Sequence, residues 1–164
     1  MLKIKSVFFA VSFFLMSFAL FAGERTIPVD IFLMIDKSQS MNEPGKFDSL
    51  HKWVRDTLVT EMLIPEDWIT VWEFYEKPHE LQTLVIKNEN DRNALIKTID
   101  NITPNGAFTD IGAALDAIQD SLNKRGKNNR YKILLLVTDL EQDAPWTSKY
   151  RGKQESFKSP YLAE

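Results

Sequence analysis

The chain contains no cysteine. Disulfides, zinc–thiolate centres and thiol catalysis are therefore excluded, as is a lipid-anchored N-terminus that depends on cysteine. An exported protein of this kind must be held together by its core, a ligand or a partner. An excess of basic charge is missing too: 20 Lys and Arg stand against 23 Asp and Glu, for a formal net charge of −3. No basic face suited to nucleic acid is expected. The local cluster Lys124, Arg125, Lys127 and Arg130 falls in a Gly/Asn-rich turn and reads as a solvated loop, with a phosphate patch as the alternative. No apolar run reaches the roughly 20 residues that a membrane-spanning helix needs. Internal repeats and low-complexity segments are also missing.

What is present begins with a short positive start, Lys3 and Lys5, followed by an almost wholly apolar stretch from Val7 to Phe21 with six phenylalanines. Ser17, Ala19, Ala22 and Gly23 follow at its end. This is the layout of a secretory signal peptide over residues 1–22, with an uncleaved anchor as the alternative. It predicts export to the periplasm or beyond. Loss of Lys3 and Lys5 with that segment takes the formal charge to −5. Residues 23–164 then form one domain, since the length suits one and not two.

Val29 to Ile35 is a short, near-continuous apolar run, as in a strand buried on both faces of a parallel sheet. Phe47, Leu50, Val54, Leu58 and Met62 recur at helical spacing and predict an amphipathic helix stopped by Pro65. Strands are expected at Trp68 to Phe74 and at Gln82 to Ile86. A helix follows over Asn90 to Asn101 with Leu95, Ile99 and Ile102 inward, then a turn at Pro104-Asn105-Gly106. Ile111, Leu115, Ile118 and Leu122 mark another helix, ended by Gly126. Lys132 to Val137 is a strand as apolar as the first. This order predicts an α/β fold, a doubly wound, mainly parallel sheet with helices on both faces. Residues 140–164 are polar and aperiodic, and Ser159-Pro160-Tyr161 reads as the start of a further helix.

Three segments carry chemistry: D-K-S-Q-S at 36–40, N-G-A-F-T-D-I-G-A-A-L at 105–115, and L-L-L-V-T-D at 134–139. Ligands of open α/β sheets bind beyond the carboxyl ends of the strands, where the strand order reverses. Asp36 and Asp139 each end a strongly apolar strand. If those strands are neighbours, two carboxylates meet over one crevice and need a counter-charge, which a cation supplies. Ser38 and Ser40 alternate with Asp36 along the loop, so all three oxygens can point one way. Thr109, just before a helix, adds an oxygen from a separate loop. An all-oxygen donor set selects a hard cation, Mg²⁺ first and Mn²⁺ or Ca²⁺ next, with one coordination position left for an outside ligand.

These segments resemble the von Willebrand factor type A domain with a metal-ion-dependent adhesion site. Asp36, Ser38 and Ser40 match its D-x-S-x-S, Thr109 the threonine of its later loop, and Asp139 the aspartate after its fourth strand. The resemblance spans residues 27–140 and implies a Rossmann-type fold. It also implies that an acidic residue from a protein partner supplies the last metal ligand. Two departures stand out. The family usually has Gly after the last aspartate, where this chain has Leu140, then Glu141, Gln142 and Asp143. The family's sheet also continues further, so the last strands are expected to be missing and Ile133–Val137 to form an open apolar edge, an aggregation hazard.

The expected function is a metal-dependent binding module for adhesion or assembly, not an enzyme. A Mg²⁺-dependent hydrolase is the alternative, with Lys37 and Glu141 as its only nearby candidates. A scaffold with a vestigial site is a third reading. Asp110 either holds a metal-bound water or caps the following helix. His51, Trp53 and Trp68 read as packing residues, His79 as surface, Glu73 as a paired or edge carboxylate, and Trp146 as a candidate flank of the ligand site.

Overall fold

The computed structural model describes residues 25–152. The expected signal segment and the helix start at Ser159 lie outside the described residues. Strand β1 (Asp30–Asp36) is followed by a single 3₁₀ turn at Gln39–Asn42 and by helix α1 (Lys46–Trp53), which continues with wider turns through Val54–Met62. Then come β2 (Trp68–Phe74), β3 (Pro78–Val85), α2 (Glu89–Asp100), α3 (Ile111–Arg125) and β4 (Lys132–Val137). The sheet order is β3-β2-β1-β4. β1 runs parallel to β2 and to β4, while β3 is antiparallel to β2.

Every residue of β1 is buried, as a strand covered on both faces requires. Ile31, Leu33 and Ile35 pack under α1 and α2 together with Leu50, Val54, Leu58, Leu95 and Ile99. Phe32 and Met34 point to the opposite face, where Ile111, Ala114, Leu115 and Ile118 of α3 cover them. The doubly wound α/β architecture is thus the one expected from the strand and helix periods.

Three details differ from the sequence reading. Over Val54–Met62 the backbone widens to i→i+5 bonding, and the Leu63 N–H donates to the Leu58 carbonyl at 2.9 Å. The wider turn carries Leu63 into the core and leaves Met62 47 % exposed, so Met62 is not part of the buried stripe. β3 begins at Pro78, earlier than Gln82, because proline is tolerated at the first position of an edge strand.

The third difference concerns the basic turn. Lys124 and Lys127 are exposed, as a solvated loop predicts, but Arg125 and Arg130 turn to Asp30, which is fully buried at the start of β1. Arg125 donates to both Asp30 carboxylate oxygens at 2.8 and 2.9 Å, Lys132 donates at 2.7 Å and Asn128 at 2.9 Å. The Arg125 guanidinium also lies 4.6 Å from the centre of the Trp68 ring. Burial pushes the Asp30 carboxyl up, but the bonds from Arg125, Asn128 and Lys132 outweigh it and hold the group down at about 2.

Among the described residues β4 is an outer strand of the sheet. Its apolar residues are only half covered, with Ile133 37 % and Leu134 40 % exposed. A groove of about 730 Å³ runs between α1 and β4, lined by Met41, Leu50, Trp53, Leu135 and Val137, with Lys46, Thr138 and Asp139 also on its wall.

Candidate metal centre

The strand order reverses at β1, since the chain runs outward to β2 and β3 and returns on the other side as β4. The carboxyl ends of β1 and β4 are therefore adjacent, and pairing between them reaches Ile35 opposite Val137. Asp36 and Asp139 follow those two positions, so the two carboxylates share one crevice, as the motif reading requires.

Asp36 is fully buried. One carboxylate oxygen accepts from the Ser38 backbone N–H at 2.8 Å, and the other accepts from the Thr138 hydroxyl at 2.7 Å. Burial pushes its carboxyl above the usual range, and the charge of Asp139 pushes the same way; the bonds from Ser38 and Thr138 only partly offset this. Asp139 moves in the opposite direction. Burial raises it, but the Ser40 hydroxyl, the Glu141 N–H and the Lys46 ammonium together draw it down. The opposite directions follow from the surroundings: Asp36 is the deeper of the two, and Asp139 has the Lys46 ammonium 3.4 Å away.

Ser38 and Ser40 lie with their hydroxyl oxygens 3.1 Å apart. Backbone hydrogen bonds hold their loop against its neighbours. Lys37 N–H donates to Phe74 at 2.9 Å, Gly106 N–H to Lys37 at 2.9 Å, and Gln39 N–H to Gly106 at 2.8 Å. A side chain at Gly106 would run into Tyr75, so glycine is what lets the second loop approach this closely. That loop then delivers Thr109, which is buried and exchanges two backbone bonds of 2.9 Å with Asp143. Asp110 caps α3, with one carboxylate oxygen accepting from the Ala113 N–H at 3.0 Å.

Asp36, Ser38, Ser40 and Asp139 thus meet at one end of the sheet, and the loop that carries Thr109 is bonded to theirs through Gly106. Their chemistry fits a hard divalent cation: two carboxylates, three hydroxyls and neither sulfur nor nitrogen. No cluster of three or more acidic or histidine side chains exists among the described residues, so the hydroxyls are essential to such a site.

Three contributors were not evident from sequence. Lys46 places its ammonium 3.4 Å from Asp139 and 3.1 Å from Glu43; a lysine at a helix start carries no signal of this. Thr138 anchors Asp36, and only its place beside Asp139 hinted at it. Gln142 accepts from the Ile111 N–H at 2.8 Å, tying the segment after β4 to the start of α3. Further along that segment the Tyr150 ring lies over Gly112, and its hydroxyl donates to Asp116 at 3.0 Å. Glu73 pairs with Lys37 at 3.3 Å, while Glu141, Asp143 and His79 are exposed. His51 packs edge-on to Phe47 with ring centres 4.8 Å apart.

A family model described as von Willebrand factor type A domain matches residues 31–142. The chain is 65 % identical over 149 residues to an uncharacterized protein of Treponema pallidum (strain Nichols), covering 91 % of this chain and 67 % of that one. Among solved structures it is similar to proximal thread matrix protein 1 from the mussel byssus with a zinc-occupied MIDAS motif, at 22 % identity and a TM-score of 0.60. That match covers 76 % of this chain and 34 % of the other. An aerotolerance-related membrane protein from Bacteroides fragilis matches at 20 % identity and a TM-score of 0.54, covering 71 % and 57 %. The chain therefore spans about a third and just over half of these two structures, and at such identities the likeness concerns the fold.

Proposed function

We propose, from the premise that this chain belongs to the von Willebrand factor type A domain family, that it is an exported binding module. Its cation would be of the Mg²⁺ type, held by Asp36, Ser38, Ser40, Thr109 and Asp139. When bound, the cation supplies a Lewis-acidic position that takes a carboxylate oxygen from an acidic side chain of a protein partner. The observation that carries this reading is the meeting of Asp36 and Asp139 at the strand-order reversal, with the Ser38 and Ser40 hydroxyls in mutual contact beside them. The +2 charge of the cation offsets the two carboxylates, so the negative net charge of the chain need not repel an acidic partner.

Catalysis is not part of this reading. Of the two side chains a hydrolytic mechanism would call on, Lys37 is paired with Glu73 and Glu141 faces solvent. Export rests on the N-terminal apolar stretch, and no helix among the described residues is long and apolar enough to cross a membrane.

An array of short peptides, each with one central Asp or Glu or its Asn or Gln counterpart, tests the proposal. Binding to the acidic peptides in Mg²⁺, lost in chelator and lost with the amide counterparts, is the expected result. Equal binding in chelator would sink it.

A further inference from the structure

Leu140 follows Asp139 directly, and its backbone is left-handed, with φ +66°. That conformation is costly for a bulky side chain and is normally left to glycine or asparagine. The side chain is also 71 % exposed. An exposed leucine is ordinary in itself. A leucine both strained and exposed is not, because glycine at this position would relieve the backbone and remove the apolar surface together. Strain kept in this way at the rim of a site points to use.

The turn that holds Leu140 is fastened to both carboxylates. Its N–H donates to the Thr138 hydroxyl at 3.1 Å, which donates to Asp36 at 2.7 Å, and the Glu141 N–H donates to Asp139 at 3.3 Å. The backbone that carries this exposed side chain is therefore held in place beside the cation site. Trp146, 73 % exposed, stands three residues beyond Asp143, the residue whose backbone is paired with Thr109.

We propose that Leu140 is a specificity contact, and that the partner's metal-bound Asp or Glu has a bulky apolar residue beside it in sequence. This rests on the binding function proposed above and narrows the partner to an acidic residue flanked by Leu, Ile, Phe or Trp. Burying the exposed part of one leucine against such a neighbour favours it on the order of tenfold in affinity.

The test uses the full chain in Mg²⁺ against two peptide sets, a central Asp flanked by Leu or Phe and the same Asp flanked by Ser. The parent chain should favour the apolar set on the order of tenfold. Leu140→Gly should bind both sets equally, at the level of the Ser-flanked set, with Mg²⁺ affinity and melting temperature no lower than the parent's. If Leu140→Gly loosens the turn and weakens Mg²⁺ binding, Leu140→Asn, which tolerates the left-handed backbone, takes its place. Equal binding of both sets by the parent, or a preference kept in these variants, overturns the assignment and leaves the acid-binding function intact. If no acidic peptide binds in Mg²⁺, that function fails and this inference with it.

Discussion

Asp36→Asn is expected to fold at least as well as the parent chain in chelator and to gain nothing from Mg²⁺. Asp36 is fully buried, its carboxyl is pushed up by that burial, and Asp139 lies near enough to add repulsion. Without a cation, the charge is a cost to the fold. Asparagine removes the charge and retains an oxygen to accept from the Ser38 N–H, and the Thr138 hydroxyl can turn to meet the new amide. The parent gains stability from any cation that binds only the folded state, about 2.7 kcal/mol at a hundredfold excess over its dissociation constant. For a domain of this size that corresponds to a rise in melting temperature of roughly 8 °C. Thermal unfolding of both chains in chelator and in Mg²⁺ reads the effect directly. A variant that Mg²⁺ still stabilises to the same degree would remove Asp36 from the site.

Asp30→Ala is expected to be the most damaging substitution at the opposite end of the sheet, lowering stability by about 3 kcal/mol. Asp30 is fully buried and gathers Arg125, Lys132 and Asn128. Its loss leaves those cations facing an apolar strand end. The figure is set at the lower end for a broken buried pair because Arg125 and Lys132 keep 28 % and 25 % of their side-chain surface exposed and can turn to water. Part of this loss depends on pH. The Asp30 carboxyl is held at about 2 in the fold against an ordinary 3.8. Its contribution, about 2 kcal/mol by linkage, is complete above the unfolded value and disappears as pH falls through the folded one. Urea unfolding from pH 6 down to pH 2 should therefore show the gap between parent and Asp30→Ala narrowing toward the acid end. A constant gap would mean that the clamp acts through packing and not through charge.

How much of this was legible depended on the kind of interaction. β1 and the helix positions Leu95, Ile99, Ile111, Leu115 and Ile118 were readable because burial imposes a period, and a period survives in sequence. Asp36 and Asp139 were readable because the winding of a parallel sheet places strand ends in a known relation. Met62 was misassigned because a change from i→i+4 to i→i+5 bonding rotates the stripe without altering composition. The Asp30 clamp left no signal because it joins residues about 95 positions apart, and Arg125 and Arg130 in a turn look the same whether they face water, as Lys124 and Lys127 do, or a buried carboxylate. Lys46 escaped for the same reason: its meeting with Asp139 is made by the tertiary fold alone. The segment after β4 has no apolar period, and it is held by Gln142, Asp143 and Tyr150 contacts that leave no repeating trace.

The central claim is that Asp36, Ser38, Ser40, Thr109 and Asp139 form one cation site. Calorimetric titration of Mg²⁺ into the chain, repeated with Asp139→Asn and Thr109→Ala, addresses it most directly. Saturable binding of one Mg²⁺ per chain, abolished by Asp139→Asn and weakened by Thr109→Ala, is the predicted result. Absence of saturable binding in the parent, or binding that both substitutions leave unchanged, would contradict it.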